Sequence, residues 1–426
     1  MPNSIRSSNP VKEFLARLGP GLITGASDDD PSGIGSFTQA GAAFGYATLW
    51  TAFFLLPLMI VVQHISAKIG MVSGRGLASV LKHYYCRWIL FPAVACLVIA
   101  NTINAGTDIL AIAAAINLLI PIPILALVVP IAVAIVVLQV WGSYQLIVKV
   151  FKWLVLALFA YVIAAFLARP NWSFVVKATF LPPISLTSDY LMTIVALLGT
   201  SISPYLFFWQ ASEEVEEERC VVGRRLLSQR KGATNKELSD EKIDTITGMA
   251  LSQVVMYFVI LAAASTLHVA GKTNIQSATE AAQALTPLAG KLASVLFSVG
   301  LIGAGLLGVP VLTGSAAYAV AETFNWKEGL DEKPRAAKKF YVVIAASTLV
   351  GIAVAFAGVD PITALFYTAV INGVVAPPLL VVIMLIANNK KVMGKRTNGV
   401  FANVVGCFAT ALMFAAAIAM FVTWGQ

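Results

Sequence analysis

Charge is what this 426-residue chain lacks. Only 12% of its residues are Asp, Glu, Lys or Arg, about half the share found in an average soluble domain. Hydrophobic residues make up 58%, and the mean hydropathy is +0.83. The deficit is patterned: uncharged stretches of about 20 residues, the length that crosses a bilayer as helix, alternate with short groups of Lys and Arg. That excludes a soluble globular protein and describes a polytopic membrane protein. Histidine is also scarce, since His64, His83 and His268 lie far apart and in no metal-ligand spacing. The cysteines Cys86, Cys96, Cys220 and Cys407 include no CxxC pair. A zinc or disulfide framework is excluded, and reduced packing residues are expected. The polar start of the chain is not expected to be a cleaved leader. The net charge of +8 resides in connections, where it sets membrane orientation rather than affinity for nucleic acid.

Eleven apolar spans are predicted, at 14–44, 46–68, 88–119, 122–141, 149–168, 189–212, 245–270, 285–322, 339–357, 361–387 and 400–424. Every second connection is cationic. Arg6, Lys12 and Arg17 precede the first span, and Lys68, Arg75, Lys82 and Arg87 follow the second. Lys149 and Lys152 open the fifth, and Arg224, Arg225, Arg230 and Lys231 follow the sixth. Lys327, Lys333, Arg335, Lys338 and Lys339 follow the eighth, and Lys390, Lys391, Lys395 and Arg396 the tenth. Cationic connections face the cytoplasm, which puts the amino terminus inside and the carboxyl terminus outside. The expected organisation is a cytoplasmic segment 1–13, a five-helix repeat over 14–168, a second, inverted five-helix repeat over 189–387, and an eleventh helix at 400–424. The insertion 213–243 is acidic at its start and basic after. It is read as a solvated cytoplasmic connector with paired charges, and metal attraction is the lesser alternative.

Two spans are interrupted. The first reads GPGLITGASDDDPSGIGSF and the sixth ALLGTSISPYLFFW. Pro31 and Pro204 bring no amide hydrogen, and Gly, Ser and Thr surround each. Unwound backbone at membrane depth must line a cavity or be buried in protein, because lipid satisfies neither amides nor carbonyls. The interruptions occupy matching positions in two five-helix halves, and an odd number of helices per half inverts the second. Paired breaks of this kind mark the midplane site of a transporter.

A carboxylate at that depth costs roughly 2.5–3.5 kcal/mol on insertion scales. Asp28, Asp29 and Asp30 are consecutive, and a regular helix cannot turn all three to one side. Asp30, beside Pro31, is read as a cation ligand, because the neighbouring spans offer no Lys or Arg. Asp28 is equally readable as a surface cap at a helix end, and Asp29 is placed with it along the pathway. Around the breaks the donors are oxygen: Asp30, the carbonyls near Ser27 and Thr200, and the hydroxyls of Ser201 and Ser203, with Gly33 leaving room. Carboxylate, carbonyl, hydroxyl and water suit hard ions such as Mg²⁺, Ca²⁺ or Mn²⁺. Mg²⁺ in addition keeps several waters and needs a roomy site. Gln63 and His64 are read as structural.

At the level of motifs the chain resembles the Nramp (natural resistance-associated macrophage protein) family of divalent-metal transporters. The likeness is carried by GPG at Gly19–Gly21, Asp30-Pro31, QAGAAFGYATLW at 39–50, QHISAKIGMVSGRGLA at 63–78 and INLL at 116–119. It implies an all-α membrane protein with the LeuT-type inverted repeat of five plus five helices and one extra helix, about 11 in all. The family's Asp-Pro-Gly-Asn is here Asp30-Pro31-Ser32-Gly33, and its Met-Pro-His is Ser203-Pro204-Tyr205. Its Thr-Asp-Leu-Ala-Glu aligns with Asn104-Ala105-Gly106-Thr107-Asp108, so one acid of its proton route is lost and one survives as Asp108. These departures resemble the Nramp-related magnesium transporters, a branch without proton coupling. They imply a carrier of Mg²⁺ that tolerates Mn²⁺, with Tyr205, Asp108 and Asn104 along the pathway and Asn372 either there or in helix packing. No resident cofactor is expected, the transported ion apart. A monomer in the plasma membrane is expected, with the bilayer and the ion as partners. The nearest rival is a proton-coupled Mn²⁺ or Fe²⁺ transporter. A membrane-embedded enzyme is more remote, because such a site needs convergent catalytic groups. A LeuT-type amine or amino-acid carrier would not present a run of anions.

Overall fold

The computed structural model describes residues 18–141, 159–220, 233–275, 277–285, 290–330 and 332–423. Helices follow one another with short connections: α1 Pro20–Asp28, α2 Pro31–Phe44, α3 Trp50–Ser73, α4 Leu77–Tyr84, α5 Arg87–Leu119 and α6 Ile124–Trp141. Then come α7 at 159–167, α8 Trp172–Phe180, α9 Ser188–Ser201, α10 Pro204–Cys220 and α11 Asn235–Ala263, which runs on through one π turn to His268. The rest are α12 Ala278–Ala282, α13 Ala293–Phe324, α14 Lys338–Gly351, α15 Pro361–Asn388, α16 Lys390–Met393 and α17 Val400–Thr423. Among the described residues, nine helices are long and apolar enough to cross a membrane, the broken pair α9–α10 counting as one. The other broken pair, α1–α2, adds a tenth crossing. The first half of the predicted fifth span, 149–158, lies outside the described residues, as do Arg6, Lys12, Arg17, Lys149, Lys152, Arg224, Arg225, Arg230 and Lys231.

Burial sorts the helices. α6 turns Leu125, Val129, Val133 and Val137 outward while Val128, Ala132 and Ile135 face inward, the spacing of a helix with one side in lipid. The centre is made by α1, α2, α5, α9, α11, α13 and α15. The principal pairs are α5 with α13, α1 with α11, and α9 with α15.

Both breaks are shorter than the sequence implies. Only Asp29 and Asp30 separate α1 from α2, and only Ile202 and Ser203 separate α9 from α10. Pro31 and Pro204 do not prolong an unwound stretch. Each opens the next half-helix, where its fixed φ is pre-set and its missing amide hydrogen costs nothing. Ser32, Gly33, Thr200 and Ser201 are therefore helical.

The predicted solvated connector is also different. Glu213, Glu214, Glu216 and Glu218 belong to α10 and are at most 9% exposed. Tyr318 donates to Glu213 and Glu216, Ser212 donates to Glu322 (2.9 Å), and Gln210 donates to Glu214 (2.8 Å). Residues 235–244 begin α11, started by a Thr234–Glu237 capping box. Packing against α13 puts these four acids of α10 on an interior face, while Glu217 between them is exposed. Cys86, Cys96 and Cys407 are exposed on the helix surfaces, so they do not fill the core; the side chain of Cys220 lies outside the described set.

Candidate metal site

α1 is a nine-residue half-helix held at both ends by α11. At its start Pro20 has no amide hydrogen, and the next two amides are left without helical partners. Asp244 accepts both, Gly21 N at 2.7 Å and Leu22 N at 3.0 Å. In the middle the backbones touch: a Cβ on Gly25 would overlap the Gly248 carbonyl group. At the far end Ser252 bonds Asp28 Oδ2 at 2.5 Å and reaches Asp29 Oδ1 at 3.3 Å. Asp244, Gly248 and Ser252 recur every four residues, on one face of α11.

Asp30 is the N-cap of α2. Its Oδ1 accepts from the Gly33 amide at 2.8 Å and from the Ser32 hydroxyl at 2.7 Å. Its Oδ2 accepts from Asn104 Nδ2 at 3.2 Å and from the Tyr205 hydroxyl at 3.4 Å. The expected unpaired anion is thus a carboxylate with four donors at the positive end of a helix. Gly33 supplies one of those donors through its amide; it holds the carboxylate rather than leaving a gap. The two oxygens differ: Oδ1 is tightly held, whereas Oδ2 has two long bonds that an incoming ion can displace.

Tyr205 ties the two breaks together. Its hydroxyl donates to the Ser27 carbonyl at 2.8 Å and shares that hydrogen with Asp30 Oδ2. Ser315 on α13 donates to the Tyr205 carbonyl at 2.9 Å. Ser203 folds back onto its own half-helix, donating to the Gly199 carbonyl at 2.5 Å and the Thr200 carbonyl at 2.6 Å. The Thr200 hydroxyl donates to Leu197 O. Ser201 turns toward α11 and α3, donating to Met256 Sδ at 3.6 Å and accepting from Gln253 Nε2 at 3.4 Å. Gln253 also reaches Met59 Sδ at 2.8 Å. Thioethers therefore stand beside the second break after all, brought there by helices other than the broken ones.

Asp28 and Asp29 are each 1% exposed, which rules out the surface-cap reading of Asp28. They lie at the C-terminal, negative end of α1 with a single hydroxyl between them, and Asp28 Oδ1 has no hydrogen-bond partner. Asn104 and Asp108 come from α5, one turn apart. Asp108 is fully buried and faces the Ser32 amide without completing a hydrogen bond to it; both its oxygens and Asn104 Oδ1 are unpartnered. Asn372 on α15 is 1% exposed with Oδ1 unpartnered. Its neighbour Gly373 packs on the Val195 carbonyl of α9. His64 pairs with Glu241 at 2.6 Å, in keeping with a structural role.

Asp30, Ser27, Tyr205 and Asn104 are thus joined directly. Thr200 and Ser203 line the second break, and Ser201 faces away toward the sulfurs. Among the described residues no three His, Cys, Asp or Glu side chains converge on a metal position, so carbonyls, amides, hydroxyls and water would complete any coordination shell. The sequence reading missed Asp244, Ser252, Gln253, Met59 and Met256. The small-residue and hydroxyl spacing on α11 was the one available signal. A cavity of about 750 Å³ opens at the end of the bundle where α2 stops and α9 and α15 start, lined by Phe44, Asp189, Thr193, Asp360, Thr363 and Phe366. At the other end α1 is closed against α11.

This arrangement has solved counterparts. A manganese transporter from Eremococcus coleocola superposes with a TM-score of 0.73 at 17% identity, over 98% of this chain and 87% of that one. A nucleobase-cation-symport-1 family transporter in a closed conformation gives 0.56 at 15%, over 95% and 92%. At such identities the likeness shows the fold, the LeuT-type inverted repeat. Among curated relatives, the divalent metal cation transporter MntH of Pectobacterium carotovorum is 27% identical over 408 residues, 94% of this chain and 92% of the relative. The protein of the same name from Bacillus subtilis is 23% identical over 94% and 91%. The family described as natural resistance-associated macrophage protein-like matches residues 21–423. From the first broken helix to the last span, the chain belongs to the Nramp family of multi-pass membrane transporters.

Proposed function

We propose that the protein is a secondary transporter of divalent metal ions, working by alternating access around the Asp30 break. The supporting observation is Asp30 Oδ2, held only by bonds of 3.2 and 3.4 Å beside the Ser27 carbonyl at the gap between two half-helices. An entering ion displaces Asn104 and Tyr205 from Oδ2. The released Tyr205 hydroxyl frees the Ser27 carbonyl as a further ligand, and Thr200 and Ser203 face the ion from the other break. The 750 Å³ cavity is the route in, and undocking α1 from α11 opens the route out. With cationic connections in the cytoplasm, the cavity faces outside. The protein acts as a monomer in the plasma membrane.

For the ion, Mn²⁺ with proton coupling is the better supported reading. The relatives carry divalent-metal names and the solved neighbour is a manganese transporter. Asp108 keeps a buried acid on α5, whereas Met59 and Met256 lie with Ser201 on the side turned away from Asp30 and supply no ligand there. One observation favours the second reading, Mg²⁺ with Mn²⁺ tolerated and no coupling. Every group bonded to Asp30 is oxygen or nitrogen, and Tyr205 and Ala105 replace the imidazole and acid that a proton relay needs.

Uptake of Mn²⁺ and Mg²⁺ into proteoliposomes carrying an internal pH dye decides between them. Mn²⁺ uptake that acidifies the lumen and withstands a large Mg²⁺ excess supports the first reading. Mg²⁺ uptake without acidification, competing with Mn²⁺, supports the second. An Asp30→Ala protein that folds and transports as well as wild type overturns both.

A further inference from the structure

The α5 face that meets Asp30 carries more oxygen than the transport reading uses. Asp108 is 0% exposed and neither of its carboxylate oxygens completes a hydrogen bond. One turn earlier Asn104 is equally buried; its Nδ2 is anchored on Asp30 Oδ2 at 3.2 Å, and its Oδ1, on the same amide carbon, has no partner. Residues four apart share a helix face, so three unpartnered oxygens lie together beside the Asp30 carboxylate. From the opposite side α13 presents Gly308. A Cβ there would sit 2.8 Å from Asp30 Cβ and 3.3 Å from Asp108 Oδ2. Glycine at this position lets α13 approach the Asp30 stem and Asp108 Oδ2 together.

We infer that Asp108, the Asn104 amide oxygen and Asp30 Oδ2 form a second seat for a hard divalent cation, between α5, α13 and the start of α2. It is distinct from the seat that Asp30 makes with Ser27 and the second break. The inference rests on the reading of Asp30 as a cation ligand. Two carboxylates match the charge of one dication, and no Lys or Arg is bonded to either among the described residues. Buried polar atoms are almost always partnered, so three unpartnered oxygens in one place mark a position for a ligand that donates no hydrogen. Carboxylate and amide oxygens suit Mg²⁺, Ca²⁺ or Mn²⁺ rather than softer ions. Because Asp30 belongs to both seats, an ion can step from one to the other without leaving that carboxylate.

The test uses the full-length protein in lipid nanodiscs, titrated calorimetrically with MnCl₂ and with MgCl₂, alongside proteoliposome uptake. Wild type is expected to bind two dications per chain, the second more weakly because both draw on Asp30. Asp108→Asn, which keeps the shape and removes the charge, and Gly308→Ala, which puts a methyl group against Asp30 Cβ and Asp108 Oδ2, each lose one equivalent or weaken it at least tenfold. Asp108→Glu restores it. Asn104→Ala, with both carboxylates intact, reads the same seat by a milder loss should Asp108→Asn fail to fold. Wild-type transport together with unchanged stoichiometry and affinity in these variants overturns the second seat and leaves the transport reading standing. A wild type that neither binds nor moves a dication overturns both.

Discussion

Asp244 caps the start of α1 and ties it to α11, and its removal has a calculable effect. The side chain accepts the Gly21 and Leu22 amides at 2.7 and 3.0 Å, a cap supplied to α1 from a helix more than 200 residues away. Replacing Asp244 by Ala leaves the buried Gly21 amide and its neighbour without acceptors. An unsatisfied buried donor costs about 1–3 kcal/mol, and loss of an N-cap side chain about 0.5–2 kcal/mol. The two figures describe the same loss and do not add, so about 2 kcal/mol is the expected penalty on docked α1. Every 1.4 kcal/mol is a factor of ten, so release of α1 becomes about 30-fold more populated. Hydrogen–deuterium exchange of the peptide covering residues 18–28 measures this directly, with a peptide from α17 as the internal reference. Exchange at Gly21 and Leu22 is expected to accelerate by up to that factor in Asp244→Ala. Asp244→Asn, which keeps one acceptor oxygen, should fall between. Exchange in the Ala variant equal to wild type would refute the reasoning: the Gly25–Gly248 contact alone would then be holding the half-helix.

Tyr205→Phe removes the hydroxyl that competes with an ion for both the Ser27 carbonyl and Asp30 Oδ2. Metal affinity measured by calorimetry is expected to rise, by up to about tenfold for a hydrogen bond of 0.5–1.5 kcal/mol; a fall in affinity would mean that the phenol itself ligates the ion. Met256→Leu conserves volume and removes one sulfur next to Ser201. Because that sulfur lies on the side turned away from Asp30, the ratio of Mn²⁺ to Mg²⁺ uptake should stay unchanged, and a severalfold drop would place the sulfur on the ion's path.

The parts of this fold legible in the sequence are those that a one-dimensional pattern carries. Asp30-Pro31 and Ser203-Pro204 interrupt apolar runs at matching places, and the first half-helix break falls where the carboxylates indicate. The length of each break was not legible, because Pro at the first position of a half-helix and Pro in a coil give the same letters. Local charge was misread for a related reason. Glu213, Glu214, Glu216 and Glu218 look solvated when counted along the chain, yet they are buried, with Tyr318 donating to Glu213 and Glu216 and Gln210 to Glu214. Asp30 looks unpaired in the sequence because no Lys or Arg stands in the neighbouring spans. Its donors are neutral, and two of them, Asn104 and Tyr205, arrive from 74 and 175 residues away.

That difference bears on how the site works. An unpaired anion at the midplane would bind a cation strongly and release it slowly. On the proposed reading, a carboxylate already satisfied by exchangeable donors would lose two long bonds when the ion arrives and regain them when it leaves, so the cost of emptying the site would be offset inside the protein. The same economy does not extend to Asp28 and Asp29, which share one serine hydroxyl at the negative end of α1, or to Asp108, which completes no hydrogen bond. Demand for positive charge is therefore greatest on either side of Asp30 rather than on it. Three buried carboxylates with so few donors would, on the proposed reading, favour a seated cation over an empty cavity and so tie release of α1 from α11 to the presence of the ion.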